Sequence, residues 1–249
     1  MTTATPATTV LILGGTSDIG RAVARDFAAR GYAVQLAGRD QARLESNARD
    51  LAVRYGVTAT VHFFDAFELA THAPFVGSLV PLPDTVVCAV GSMKDQAVCE
   101  REPDEAELIF CSNFNGPAHI LALLANRFVE RGSGVIIGIS SVSGDRGRAK
   151  NYVYGAAKAA FTTFLSGLRA RFARTQIRVI TVKPGFVRTR MTDGMDLPSA
   201  LTATPEEVAT AIRNAERGRR DVVYVRSVWR ALMAIIRALP EPIFKRLRF

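Results

Sequence analysis

"TTVLILGGTSDIGRA", residues 8–22, is the stretch that decides the fold. An apolar run ends in two glycines, a polar turn follows, and then comes a segment with helical character. A strand that hands over to a helix through a phosphate-binding turn has this pattern. Gly14 and Gly15 permit a tight turn with close backbone approach, and Gly20 lets the helix pack against the sheet. Thr16, Ser17 and Ile19 complete the turn, and the unpaired N–H groups that open the helix face a pyrophosphate. Asp18 stands where the usual motif has its middle glycine. Asp tolerates left-handed backbone angles better than most residues, so the turn is expected to survive with its carboxylate aimed away from the phosphates. Taken alone the broken motif is a weak signal, because glycine-rich turns of this kind also serve structure.

The rest of the chain repeats the strand-then-helix theme. Further apolar runs fall at 33–39, 59–66, 84–91, 134–141, 177–185 and 221–227. Helical patterns cover 19–30, 40–55, 104–131, 152–174 and 205–217, the last opened by the capping box of Thr204 and Glu207 with Pro205 at its first position. Strands that are apolar throughout and separated by helices indicate a parallel sheet covered on both faces. The expected architecture is one doubly wound Rossmann-type α/β domain with a mostly parallel seven-stranded sheet over 1–226, and an amphipathic extension of that domain over 227–249. No repeat or linker interrupts it.

The 249 residues are 48% hydrophobic and 22% charged, an ordinary globular balance. Cys88, Cys99 and Cys111 follow no zinc spacing, and their odd number argues against a disulfide framework, so reduced thiols in a cytoplasmic protein and no metal are expected. The start, "MTTATPATT", has neither a basic nor an apolar leader region, and no run of eighteen uncharged apolar residues predicts a spanning helix. The net charge of +9 is uneven: Arg213–Phe249 holds ten Lys or Arg against three acidic residues.

Downstream residues support a dinucleotide. Arg39 follows the second strand, where an acidic residue would bind the ribose 2′-hydroxyl of NAD(H) and an arginine suits the 2′-phosphate of NADP(H). NADP(H) is therefore favoured and NAD(H) stays open; a solvent-exposed arginine is the plain alternative. Asp65 ends the third strand, where its carboxylate can accept from an adenine amino group, with Ala66 beside it. Ala89 and Gly91 end the fourth strand.

The strongest signal is "ISSVSGDRGRAKNYVYGAAKAAF", residues 139–161. Tyr154 and Lys158 are four apart on a predicted helix and share a face, and Ser141 ends a strand thirteen residues earlier. A phenol near pKa 10 is a poor acid–base catalyst at neutral pH, and a neighbouring ammonium is expected to pull it down. Tyr can then give a proton to a carbonyl oxygen that Ser141 also holds. Tyr152 is no rival, since Ala156 stands four residues on.

With this set the chain resembles the short-chain dehydrogenase/reductase family in its single-domain form, over about residues 9 to 225. The resemblance implies catalytic roles for Asn113, Ser141, Tyr154 and Lys158, with Tyr154 and Lys158 also touching the cofactor. It places Pro184, Gly185, Val187 and Thr189 of "KPGFVRT" beside a nicotinamide, and implies a homo-oligomer. Two motifs depart from it: "CAVG" at 88–91 replaces Asn-Asn-Ala-Gly, and the glycine turn begins with Leu13 and carries Asp18. "GGTSDIG", "FFDAFE", "PGFVRTRM" and the C-terminal "WRALMAIIRALPEPIFKRLRF" are similar to a branch that reduces a keto-sugar carried on a polyprenyl phosphate, which implies a partner oxidase. Arg39 departs from that branch, so the NADPH preference rests on the residue itself.

Arg146, Arg148 and Lys150, between the catalytic serine and tyrosine, and Arg188 and Arg190, after the cofactor turn, are expected to rim one cleft and suit a phosphate-bearing substrate; a solvated basic rim is the alternative. In Ser227–Leu239, Trp229, Leu232, Met233, Ile236 and Leu239 share a helical face beside arginines. Such a helix fits an anionic membrane surface, a subunit partner or the roof of the cleft. Nucleic acid finds no recognition motif. Three functions remain: a lipid-linked keto-sugar reductase at the membrane surface, a soluble reductase of an ordinary ketone, and a non-catalytic dinucleotide sensor.

Overall fold

The computed structural model describes residues 8–247. The first residues of the polar N-terminal stretch, and Arg248 and Phe249 of the basic tail, lie outside them. Seven strands, β1 (Thr9–Leu13), β2 (Ala33–Gly38), β3 (Ala59–Phe63), β4 (Thr85–Cys88), β5 (Ser133–Ile139), β6 (Gln176–Pro184) and β9 (Val222–Val225), form one sheet in the order β3-β2-β1-β4-β5-β6-β9. Every pairing in it is parallel, so the expected seven-stranded sheet is parallel throughout. The order reverses between β1 and β4, and the cleft opens there, at the carboxyl ends of the strands.

Strand periodicity builds the two faces. Val10 and Ile12 of β1 point to one side, where α1 (Asp18–Ala28), α2 (Gln41–Tyr55) and α8 (Pro205–Arg217) bury Phe27, Leu44 and Ile212. Leu11 and Leu13 point to the other, where α3 (Leu69–Ser78), α6 (Gly116–Arg131) and α7 (Tyr152–Arg171) bury Phe75, Leu124 and Phe161. Strands buried on both faces cannot alternate with polar residues, which is why they read as continuous apolar runs.

Three elements differ from the expected ones. Helix α3 carries Pro74 and has no side-chain cap at its start, so it showed neither a start signal nor a clean period. The stretch read as one helix over 104–131 is α5 (Pro103–Phe110), a π-helical turn (Cys111–Asn115) and α6, preceded by a separate α4 (Gln96–Arg101). Pro117 explains the turn: it has no N–H to give the carbonyl four residues back, that of Asn113, and the register widens there. By length and composition Pro103–Arg131 could also cross a membrane. Half of its most apolar eighteen residues are buried, with Ile120, Leu121, Leu124 and Phe128 in the core, so its apolar character serves this fold. Finally, β7 (Phe186–Val187) and β8 (Thr202–Ala203) make a small parallel pair beside the cleft.

Beyond β9 the chain enters an arm of α9 (Val228–Ala238) and α10 (Glu241–Phe244). The Trp229, Met233 and Ile236 face packs inward with Val142, Phe186, Leu201 and Phe244. The face that the sequence offered to a membrane is therefore spent on the protein's own core. Exposed on the arm are Val228, Ile235, Ile243 and Leu247, with Arg230, Arg237, Lys245 and Arg246.

Candidate active site

The glycine turn is bare backbone pressed against its neighbours. Gly14 has φ +84, and a Cβ there would stand 2.8 Å from the Ala89 carbonyl oxygen. A Cβ on Gly20 would collide with the Gly14 carbonyl oxygen. Ser17 caps α1: its hydroxyl accepts from Gly20 N at 3.0 Å and donates to the Gly14 carbonyl at 2.8 Å. Ser17, Asp18 and Ile19 line a cleft of about 1020 Å³, so the positive end of the α1 dipole opens on it. The Asp18 carboxylate, expected to point away from the phosphates, is held by Arg190. It accepts from Arg190 N at 2.9 Å and pairs with the guanidinium at 3.3 Å, while Arg190 Nη2 reaches the Thr16 carbonyl at 2.8 Å. The missing glycine thus ties the turn to the loop that follows β7.

Ser141 ends the loop after β5 in extended backbone and caps a short 3-10 turn, its Oγ accepting from Ser143 N at 3.1 Å. Tyr154 and Lys158 lie on the first turns of α7 and border the same cleft. Lys158, 4% exposed, donates from Nζ to the Ile139 carbonyl at 3.1 Å, with Nζ 5.8 Å from the Tyr154 ring centroid. Asn113 comes from the π turn and is fully buried. Its Nδ2 donates to the carbonyls of Ser92 at 2.8 Å and Ile109 at 2.9 Å, while Oδ1 is buried without a partner. A Cβ on Gly91 would stand 2.6 Å from that oxygen and 3.2 Å from Lys158 Nζ, so only glycine leaves both side chains room here. "CAVG" keeps the one residue of its motif that this packing demands.

The electrostatics differ from the expected lowering of the phenol. Burial pushes the Tyr154 phenol up to about 12, and only the hydrogen bond with Ser141 pulls it back. Burial likewise pushes the Lys158 ammonium down to about 8. Desolvation disfavours both charged forms and is the largest cause of each displacement. Tyr154 is thereby held as a neutral acid beside Ser141, an arrangement that can donate a proton to an oxygen in the cleft.

The remaining predicted residues divide. Gly91, Ala89, Pro184, Gly185, Val187 and Thr189 border the cleft, as do Arg148, Lys150 and Arg190. Gly14 and Thr16 belong to the turn behind it. Arg39 and Asp65 follow neighbouring strands β2 and β3, outside the cleft wall. Arg39 is exposed with its guanidinium 5.6 Å from the Phe67 ring. Asp65 is fixed by Phe67 N on its carboxylate at 3.0 Å and by His72 Nε2 on its carbonyl at 2.9 Å, and the Ala66 carbonyl packs on Gly116. Arg188 is exposed in a shallower groove beside α1 and α8.

Arg146 is a correction: it does not face the cleft. It runs the other way into the arm, donating to the carbonyls of Ile236 at 2.5 Å and Leu239 at 2.6 Å, pairing with Glu241 at 2.9 Å and lying 3.7 Å from the Phe244 ring centroid. A guanidinium suits the negative end of α9, where unpaired carbonyls gather. Arg190 is a partial correction, since Asp18 already holds it. What the sequence reading missed is the set of three methionines at the cleft, Met93, Met191 and Met195, three of the five in the chain. Scattered singly, they gave no periodic signal.

Comparison with known proteins fits this geometry. The sequence profile of the short chain dehydrogenases matches residues 8–198. The chain belongs to the short-chain dehydrogenase/reductase family. It is 37% identical to an uncharacterized oxidoreductase of Mycobacterium tuberculosis over 247 residues, 98% of each chain. A short-chain dehydrogenase from Sphingobium yanoikuyae in complex with NADPH superposes with a TM-score of 0.80 at 26% identity, covering 97% of this chain and 96% of that one. A 3-oxoacyl-[acyl-carrier protein] reductase from Brucella melitensis with bound NAD gives 0.77 at 25% identity, covering 88% and 89%. As a member of this family the protein is an NAD(P)-dependent oxidoreductase. The bare turn, the α1 N-terminus and the unpartnered Asn113 Oδ1 fit a dinucleotide.

Proposed function

We propose that this protein reduces a keto-sugar linked through phosphate to a polyprenyl lipid, with Tyr154 as the proton donor. The observation that carries the chemistry is Tyr154, held neutral beside Ser141 in a cleft that opens on the α1 N-terminus. A bound reduced nicotinamide supplies the hydride. Ser141 holds the carbonyl oxygen, and Tyr154 protonates it as charge develops. Lys158 and Asn113 flank Gly91 and fix the floor beneath. Pro184, Gly185, Val187 and Thr189 shape the nicotinamide side, and Asp65 with Ala66 the adenine side.

For the substrate, the stretches quoted above are similar to decaprenylphosphoryl-2-ketoribose reductase. Met93, Met191 and Met195 add an adaptable apolar wall of the kind that suits a lipid chain. In this reading a partner oxidase makes the ketone, nucleic acid plays no part, and the protein works as a homo-oligomer at the inner membrane surface. The outer arm, with Val228, Ile235 and Ile243 among arginines, would meet the lipid. The inward Trp229 face favours the second reading, a soluble reductase of an ordinary ketone. The test compares a polyprenyl-phosphate keto-pentose in detergent with a panel of small ketones. A kcat/KM about a hundredfold higher for the lipid substrate is expected, equivalent to about 2.7 kcal/mol of transition-state binding. Efficient reduction of the small ketones alone would hand the assignment to the second reading.

In this reading Arg39 favours NADP(H) over NAD(H). It is exposed at the end of β2 with no carboxylate paired to it among the described residues. Arg39→Ala is expected to lower kcat/KM for NADPH about tenfold, the loss of one charge-assisted contact, and to leave NADH use nearly unchanged. An equal fall with both cofactors would reject the role.

A further inference from the structure

Most cations near the cleft are already spent. Arg146 holds the arm, Arg190 holds Asp18, Lys183 pairs with Asp145, and Lys94 pairs with Glu105 at 3.2 Å. Arg148 is different. It is half-buried and borders the cleft. Its Nη2 donates to Ser143 Oγ at 3.3 Å, and its Nε is buried with no partner. Ser143 Oγ also accepts from Asn151 Nδ2 at 3.2 Å, so both of that oxygen's acceptor sites are taken. Among the described residues no ion pair within 4 Å reaches Arg148 or Lys150, its exposed neighbour on the cleft rim, and the one carboxylate whose charge is felt by Arg148, that of Asp145, is already bound by Lys183. A guanidinium partly withdrawn from water is costly, and an anion in the cleft beside it offsets the cost of its charge.

We infer that Arg148, assisted by Lys150, binds an anionic oxygen group of the substrate close to the carbonyl that is reduced. The closeness follows from the hydrogen bonds: Ser143 accepts from Arg148 through Oγ and donates its N–H to Ser141 Oγ at 3.1 Å. One residue therefore separates the guanidinium from the hydroxyl assigned to the carbonyl oxygen. The inference rests on the reductase reading of that site and narrows its substrates to carbonyl compounds bearing a phosphate or carboxylate near the reacting carbon. Arg148 is a specificity determinant, since its reward depends on the anion.

The test uses the full chain with NADPH and two probes of one skeleton, 4-formylbenzoate and its methyl ester. The wild type is expected to favour the acid in kcat/KM by about tenfold or more, the worth of one charge-assisted hydrogen bond. R148Q, which keeps a polar donor and loses the charge, is expected to bring that ratio near one, and R148K to restore part of it. A wild-type ratio near one, or an unchanged ratio in R148Q, overturns the inference. Calorimetric binding of both probes to the NADP⁺-loaded protein reads the same ratio without turnover. Failure to reduce either probe while the acid still binds preferentially would count against the reductase reading alone. Inorganic phosphate is the third arm: inhibition of ester reduction by phosphate, without any preference for the acid, would mark a free-anion site and overturn the substrate assignment.

Discussion

Tyr154→Phe is expected to lower turnover by about 10²–10⁴-fold while leaving the Kd for NADPH within about threefold. The substitution removes one hydroxyl from a buried ring whose packing on α7 is otherwise unchanged. Ser141 can still hold a carbonyl oxygen, but nothing beside it can protonate the alkoxide. The pH dependence follows from the two displaced groups. The phenol, pushed up to about 12, keeps its proton through the neutral range, so reduction retains its acid. Oxidation of the alcohol needs the phenolate, so its rate is expected to climb with pH. Lys158, pushed down to about 8, is charged below that value and loses its charge above it; a charged ammonium favours proton release from the nearby phenol, so reduction is expected to hold level to about pH 8 and then fall. Steady-state rates in both directions, with NADPH binding followed by fluorescence, check this. Turnover retained in the variant would remove Tyr154 from the mechanism.

The sequence was informative where a physical constraint acts locally. The glycine turn, the Tyr154–Lys158 spacing and the capping box of Thr204 and Glu207 are short-range demands, and each is found where the residues put it. The sheet was legible because its strands are buried on both faces and therefore apolar throughout. Asn113 was assigned by resemblance, but the turn that presents it was hidden in a continuous helical period, although Pro117 carried the signal. Long-range pairings were not legible. That Asp18 meets Arg190, 172 residues on, and that Arg146 meets the arm rather than the cleft, depends on which loops the fold brings together. The basic residues of 146–150 read alike in sequence; burial and partners give Arg146 a structural task and leave Arg148 facing the cleft. The lowered phenol pKa failed for a related reason: spacing reports the nearby charge but not the loss of water.

Removal of the arm after Arg226 is expected to damage the fold and the site together, with no membrane present. Trp229, 3% exposed, lies so close to Gly185 that a Cβ there would overlap the indole, and its Nε1 donates to the Leu201 carbonyl at 3.0 Å. Phe186, next to that glycine, meets the ring edge-on with centroids 5.5 Å apart. Without the arm, Val142 and Phe186 lose their cover, and Arg146 loses its carbonyls and Glu241. Both affected loops border the cleft: Val142 follows Ser141, and Gly185 lines it. Trp229→Ala alone is expected to cost about 3–5 kcal/mol, the usual penalty for emptying a buried aromatic site. Trp229→Phe, which keeps most of the packing and loses the Leu201 bond, is expected to cost nearer 1–2 kcal/mol. Urea unfolding reads the stability, and kcat/KM on a water-soluble carbonyl reads the site. The truncated chain should lose turnover on that soluble substrate, and Trp229→Ala should raise KM for NADPH through the Gly185 turn. A truncated chain with full stability and full turnover would show that the arm is a separable appendage, which would return its apolar face to the membrane.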